Sequence, residues 1–387
     1  MRQKNAAAMI AVFFTVLLFL SVLTVLSPKI EISELENRVL QPFPEFTISD
    51  LWSGSWGQKI TAYLQDHLYA RDKWIDAASY ADTVLFQKTE VNGILLGRDG
   101  RMFSKAFAVQ PDTAQYQKNL KAIAQFAERW HGKVTFMLVP SSDLVYCDQM
   151  PVGVPQLDEQ SMLDSAFHDL SPVCTVIDLR PVFARGKQGD SLYFRTDHHW
   201  TLEGAYLAYQ TFCQTKGLLP FDRGSHSLRE IPDFYGSYYR ASRWTDAKAD
   251  TLSWFDLDTE MRVYRVGGEM QYTLASTGPA FSEEKGKTVD KYSAFLDGNH
   301  GYSELSGTGN GKILVIKDSY ANCFVPFLTE NYETVGVMDF RDFSFGPDST
   351  ISQLGYDDIL ILYSFHNFRE DNHLIYLNRP TTLKTEE

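Results

Sequence analysis

Ile313-Leu314-Val315-Ile316-Lys317-Asp318-Ser319-Tyr320 is an apolar run that stops on Asp-Ser and leads into a helical pattern over 321–328. A strand that ends on a hydroxyl beside a helix start places that hydroxyl at the carboxyl edge of a sheet, where ligands and chemistry collect in open α/β folds. Its counterpart lies far upstream. Phe194-Arg195-Thr196-Asp197-His198-His199-Trp200-Thr201 offers a carboxylate and imidazoles within two residues, just before a helical run over 202–212. The two stretches together hold a nucleophile, a base and an orienting acid, the parts that acyl transfer requires.

Outward from these stretches the pattern alternates. Apolar spacing predicts a helix over 113–130, a strand over 133–139 closing on Pro140-Ser141-Ser142, a helix over 160–170 and a strand over 173–179. Strands over 312–316, 334–338 and 358–363 resume the rhythm. Helices alternating with near-continuous apolar strands predict an α/β domain with a parallel sheet flanked by helices. Asn92-Gly93 and Asp99-Gly100 around Ile94-Leu95-Leu96 predict a hairpin over 91–103. Between about 218 and 310 the rhythm dissolves into aromatic, Gly-rich and alternating sequence, such as Met261-Arg262-Val263-Tyr264-Arg265-Val266. This region is expected to be a β-containing insertion that shapes a substrate cleft.

The N-terminus differs from everything else. Ala6 to Leu26 carries no charge, and as a helix it would be about 31 Å long, close to a bilayer core. Arg2 and Lys4 precede it and Glu31, Glu34 and Glu36 follow, which sets the start inside and the remainder outside the cytoplasm. A charged start and apolar run also fit a cleaved secretory signal. The length of the run and the absence of a small-x-small site in Val25-Leu26-Ser27-Pro28 favour a retained single-pass anchor. The expected organisation is an anchor over 1–30, an extracytoplasmic stalk and amphipathic helix over 31–90, and the α/β domain over 91–387. The stalk over 33–46 holds Pro42 and Pro44 and cannot be a continuous helix, whereas 56–86 has helical apolar spacing with His67 as a solvated or packing residue.

A net charge of −13 argues against nucleic acid or an anionic membrane surface as a polyvalent partner. Cys147, Cys174, Cys213 and Cys323 show neither C-x-x-C nor zinc spacing. Export would permit one disulfide, such as Cys147 with Cys174, and buried free thiols are the default. Aromatics make up 14% of the chain and cluster over 234–239 and at Trp244 and Trp254. They suit core filling first and sugar platforms second.

For the chemistry, Ser319 is the candidate nucleophile and Asp197 the candidate orienting acid. His199 and His198 compete as base, and the one that does not face the serine is expected to make a structural hydrogen bond. The backbone N–H of Ser319 or Tyr320 at the following helix start is the expected oxyanion donor. Thr201 fits a helix N-cap with Gly204 three residues on. Asp-His-His also suggests metal ligands, with Asp178, Asp318 and His366 at other strand ends, but no H-x-x-x-H or D-x-D spacing supports a metal site.

The strings Thr196-Asp197-His198-His199-Trp200-Thr201, Glu36-Asn37-Arg38-Val39-Leu40, Gly97-Arg98-Asp99-Gly100 and Ile316-Lys317-Asp318-Ser319-Tyr320-Ala321 together resemble the bacterial DHHW family. That family is similar to the SGNH-hydrolase-like proteins of exopolysaccharide O-acetylation, of the AlgJ and AlgX type. The resemblance implies an SGNH-hydrolase-like, flavodoxin-like sheet and a triad of Asp197, His199 and Ser319, and it selects His199 over His198. It implies movement of an acetyl group to or from a carbohydrate polymer, a membrane O-acyltransferase as partner in the transfer direction, and no cofactor. Lys317 stands where the related Gly-Asp-Ser block has Gly. Tyr320, Asn322, Arg341 and Asn367 are the candidates for the oxyanion and substrate donors that Gly and Asn blocks otherwise supply. The competing expectations are an exported glycan-binding or assembly protein without turnover and, behind it, a metal-dependent hydrolase.

Overall fold

The computed structural model describes residues 2–33, 35–36, 38–105, 113–189 and 191–380, so Glu34 and Asn37 of the expected stalk lie outside the described residues. The chain divides into two units. One comprises residues up to Val91 with Arg240–Thr245, the other Asn92–Tyr239 with the chain from Asp246 onward.

In the first unit, α1 (Arg2–Leu26) contains the run Ala6–Leu26, with mean hydropathy 2.8, long and apolar enough to cross a membrane. From Ser27 to Thr47 the described residues are non-helical, with Ile32–Ser33 paired to Arg38–Val39. The amphipathic pattern over 56–86 is not one helix. α2 (Ser55–Asp66) and α3 (Arg71–Tyr80) are separated where Ala70 adopts a left-handed backbone, φ 55°. Charged side chains secure that break: Arg38 donates to Asp66 at 2.9 Å, and Arg71 pairs with Glu36 at 2.7 Å. His67 contacts the Gln41 carbonyl through Nε2 at 3.1 Å, a packing role as expected.

The second unit is built on an eight-stranded sheet. Its strands are β1 (Val134–Val139), β2 (Thr175–Ile177), β3 (Glu260–Val266), β4 (Tyr272–Pro279), β5 (Tyr302–Ser306), β6 (Lys312–Lys317), β7 (Thr334–Met338) and β8 (Asp358–Ser364). Their spatial order is β4-β3-β5-β7-β6-β8-β1-β2. From β7 through β2 neighbouring strands run parallel. Ile313, Leu314, Val315 and Ile316 of β6 are each 0% exposed, because a central strand covered on both faces must be apolar on both. Burying each such side chain contributes about 1.5–3 kcal/mol. Alternate residues enter two cores. Val315 and Leu362 pack with Ala205, Tyr209 and Phe212 of α6 (Leu202–Lys216). Ile316 and Ile361 pack with Phe126 of α4 (Ala114–Arg129) and Leu163 of α5 (Glu159–Leu170).

Two expectations change. The region over 218–310 is only partly an insertion, because β3, β4 and β5 come from it and extend the sheet by antiparallel pairing, with Met261 opposite Leu305 in the core. The remainder includes a hairpin of Leu228–Phe234 with Asp250–Phe255. The stretch 321–328 is not an α-helix but two 3₁₀ segments, Ser319–Cys323 and Val325–Glu330. Pro326 at the start of the second lacks an N–H and disfavours helical backbone at the residue before it. The four cysteines are free thiols, which is the default expectation, with Cys213 and Cys323 buried and Cys147 exposed, and the possible Cys147–Cys174 pair is not formed.

Candidate active site

The loop 191–201 is pinned from three sides. Tyr193 and Trp200 form an isolated antiparallel bridge across it. Asp250 accepts from the N–H of Arg195 at 2.9 Å, the N–H of Thr196 at 3.0 Å and the Thr196 hydroxyl at 2.9 Å. Buried Arg101, at the end of the Gly97-Arg98-Asp99-Gly100 turn, donates to the carbonyls of Tyr193 and Phe194 at 3.1 and 3.3 Å. The hairpin predicted over 91–103 includes the pairing of Ile94–Leu96 with Met102–Ser104, and Met102 N–H reaches the Arg195 carbonyl at 2.8 Å. That turn therefore supports the Asp-His-His loop.

Asp197 is 3% exposed. Its Oδ1 accepts from His199 N–H at 2.9 Å and lies 2.6 Å from His199 Nδ1, while Oδ2 accepts from Ser237 N–H at 2.6 Å. Burial raises the Asp197 pKa, but the neighbouring His198 and His199 and the hydrogen bonds outweigh it and hold the group well below the ordinary Asp value. His199 Nε2 lies 2.9 Å from Ser319 Oγ. One imidazole thus bridges the carboxylate and the hydroxyl, and the tautomer with its proton on Nδ1 would donate to Asp197 while Nε2 accepts from serine. The neighbouring His198 has Nδ1 2.7 Å from Ser237 Oγ and 3.6 Å from Asp197 Oδ1. Thr201 caps α6 by accepting from Gly204 N–H at 3.3 Å.

The two halves of the site are stitched together by Trp200, 0% exposed, whose Nε1 donates to the Tyr320 carbonyl at 2.8 Å. The Tyr320 hydroxyl donates to the His198 carbonyl. Asp318 closes the strand ends: Oδ1 accepts from Tyr320 N–H at 2.9 Å, and Oδ2 accepts from the Ser364 N–H at 2.9 Å, the Ser364 hydroxyl at 2.7 Å and Asn367 Nδ2 at 2.9 Å.

These contacts revise the oxyanion candidates. The Tyr320 N–H is committed to Asp318, and Asn367 holds Asp318. Asn322 Oδ1 accepts from Lys317 Nζ at 2.7 Å and its Nδ2 donates to Asn299 at 3.2 Å. Arg341 Nε donates to Asp339 at 2.9 Å. In these contacts all four side chains or N–H groups brace the strand ends, and a short 3₁₀ turn replaces the expected helix dipole behind Ser319.

Lys317 is 1% exposed, and its Nζ reaches Asn299 at 2.9 Å, Asn322 at 2.7 Å and Asp339 at 3.1 Å. The position of a Gly in the related block thus carries a buried ion pair. Burial pulls the ammonium below its ordinary value, opposed by Asp339. Burial likewise works against the Asp339 carboxylate, yet the Lys317 charge and Arg341 hold its pKa at about 2. The stabilisation from that lowered pKa is complete above the ordinary Asp value and lost as pH falls through about 2. Asp339→Ala strands the ammonium and is expected to cost about 3–5 kcal/mol, read at neutral pH as a lower urea midpoint with unchanged slope.

Gly236 was not singled out by the sequence reading. A Cβ there would lie 2.2 Å from Asp197 Cβ, so only Gly lets the 234–239 aromatic segment deliver Ser237 N–H to Asp197. Gly236→Ala is expected to displace Asp197 and lower kcat by about 10²-fold, with a smaller effect on thermal stability, measured side by side.

Candidate ligand atoms of Asp197, His198 and His199 lie within 4.8 Å of one another. His199 Nδ1 and Nε2 are engaged by Asp197 and Ser319, and His198 Nδ1 by Ser237, so metal binding would dismantle the relay. A cavity of about 550 Å³ is walled by Trp254, Leu257, Phe281, Phe295, Cys323 and Phe327 among others, and its walls include none of Asp197, His199 and Ser319. Trp254 stacks on Phe281 there at 3.6 Å.

Residues 173–338 match the family model described as DHHW protein, and residues 94–218 match an SGNH hydrolase-like domain, acetyltransferase AlgX. The chain is similar to a DHHW family protein from Eubacterium siraeum, with 21% identity, 76% of this chain and 98% of that chain covered, and TM-score 0.61. It is also similar to Bacillus cereus PatB1 solved with a sulfonyl adduct, with 18% identity, 74% and 98% covered, and TM-score 0.59. No curated protein matches the chain. The resemblance read from the motifs is borne out, and the second unit has the expected SGNH-hydrolase-like α/β fold.

Proposed function

We propose that this chain is an outward-facing, single-pass acyltransferase or esterase that moves an acetyl group to or from a hydroxyl of a cell-envelope polysaccharide. Ser319 is the nucleophile, His199 the base and Asp197 the group that holds the base. The observation that carries this reading is the continuous relay of Asp197 Oδ1 to His199 Nδ1 at 2.6 Å and His199 Nε2 to Ser319 Oγ at 2.9 Å. The match of 94–218 to an acetyltransferase domain supports the acetyl group as cargo. The apolar helix Ala6–Leu26 supports the anchor.

In the first half-reaction Ser319 Oγ attacks the acetyl carbonyl as its proton passes to His199 Nε2. Asp197, kept ionised, balances the imidazolium. His199 then returns the proton to the departing oxygen, leaving an acetyl ester on Ser319. In the second half, His199 takes a proton from a glycan hydroxyl or from water, whose oxygen attacks the ester, and returns that proton to Ser319 Oγ as the serine is released. Among the described residues no protein acceptor takes the Ser319 N–H, which makes it the backbone donor for the developing oxyanion. Transfer outside the cytoplasm requires an acetyl group delivered across the membrane, so a membrane O-acyltransferase is the partner in that direction. Hydrolysis requires none.

The test uses the full-length chain in detergent with 4-nitrophenyl acetate and a polysaccharide-derived oligosaccharide. Nitrophenol release with acetylated oligosaccharide in the mass spectrum identifies a transferase, and release without it an esterase. A folded chain that binds the oligosaccharide with no release would overturn the catalytic reading in favour of a binding or assembly protein.

A further inference from the structure

We propose that Tyr292 is a positioning residue for the base, holding the face of the His199 ring. The proposal rests on the triad reading above but concerns a side chain that no motif marks. Tyr292 lies in the 3₁₀ turn Lys291–Ala294, inside the region between the two triad stretches, and is 4% exposed. Its ring lies flat on the His199 imidazole, with centroids 3.6 Å apart and planes 10° from parallel. Its hydroxyl meets the Ser319 carbonyl at 3.3 Å, the Tyr320 carbonyl at 3.5 Å and Cys323 Sγ at 3.4 Å. Burial holds the phenol protonated, so its one proton is directed at this group of acceptors. Phe295 packs against the ring at 5.2 Å and Phe194 at 6.4 Å, which keeps it from swinging away.

The physical need is specific. Asp197 and Ser319 grip the two nitrogen-bearing edges of the imidazole, but the last torsion of a histidine is broad and two-fold. Edge contacts alone leave the ring free to rock out of the plane that joins Nδ1 to Asp197 and Nε2 to Ser319. A parallel ring at 3.6 Å restricts that rocking. When His199 takes the serine proton it becomes a cation lying against a π face, an attraction worth about 30-fold in rate when the pair is desolvated. This contact strengthens as charge develops, so it favours the transition state over bound substrate. The His198 ring also approaches His199, at 3.8 Å but tilted by 37°, and cannot replace a parallel stack.

The test compares Tyr292→Leu and Tyr292→Phe with wild type in the full-length chain in detergent. It reads kcat and KM for 4-nitrophenyl acetate and the rate at which a serine-directed phosphonate labels Ser319. Tyr292→Leu is expected to lower kcat and the labelling rate by about 30-fold, with KM within about twofold. Tyr292→Phe, which keeps the π face, is expected to restore both to within about threefold of wild type. If the Leu variant does not fold, Tyr292→Met replaces it with the same expected loss. A Leu or Met variant with wild-type kcat, or a Phe variant as impaired as Leu, would overturn the proposal. Failure of wild type itself to label at Ser319 would instead remove the triad reading and this proposal with it.

Discussion

Ser319→Ala is expected to lower kcat for acetyl ester turnover by about 10⁶-fold, the loss seen when the nucleophile of a cooperating triad is removed. The reason is geometric. His199 Nε2 is 2.9 Å from Ser319 Oγ, and removal of the hydroxyl leaves the base with nothing to deprotonate except water. Ser319 is half-buried in a short 3₁₀ turn, and its hydroxyl contacts the His199 ring, so the alanine variant should keep a near-wild-type melting temperature. Activity by nitrophenol release and stability by thermal unfolding, measured on the same preparation, separate a chemical loss from a folding loss. The double variant Ser319→Ala, His199→Ala should be no worse than either single one, because the two groups act as a unit.

His199→Ala is expected to cost kcat a similar factor, about 10⁶-fold, while His198→Ala costs less than about tenfold. Adjacent residues of the same type are thus expected to differ by some five orders of magnitude. The asymmetry follows from their partners: His199 contacts Asp197 at 2.6 Å and Ser319 at 2.9 Å with its two nitrogens, whereas His198 Nδ1 bonds Ser237 at 2.7 Å and stands 3.6 Å from Asp197. A comparable loss in both variants, with folding intact, would contradict the assignment and point to a site in which both rings act. Asp197→Asn is expected to fall between them, at about 10⁴-fold, through loss of the tautomer and charge that Asp197 imposes.

Much of this site was legible in two short strings because each string is local. The Asp197–His199 spacing is closed by a turn within the string itself, and the end of an apolar strand at Ser319 is a sequence event. The parallel strands at 133–139, 312–316 and 358–363 were readable for the same reason, since a strand buried on both faces must be apolar throughout. What escaped the sequence reading depends on distant partners. Gly236 matters only because Asp197 comes within 2.2 Å of where its Cβ would be. Tyr292 is one aromatic among many until its ring lies on His199. The three strands of 218–310 that extend the sheet, β3, β4 and β5, read as part of an insertion because their alternating pattern does not name the sheet they join. The helix predicted at 321–328 failed at Pro326, a local signal that the apolar spacing outweighed. Lys317 read as a departure from a Gly, and its meaning came from Asp339, Asn299 and Asn322, which surround its ammonium.

The most direct test is covalent. The full-length chain in detergent is treated with a serine-directed phosphonate, digested, and the modified residue located by peptide mass spectrometry. Labelling at Ser319 in wild type that disappears in His199→Ala is the predicted result, since the hydroxyl is nucleophilic only while His199 takes its proton. A folded wild-type chain with Ser319 unmodified, or equal labelling in His199→Ala, would contradict the relay of Asp197, His199 and Ser319.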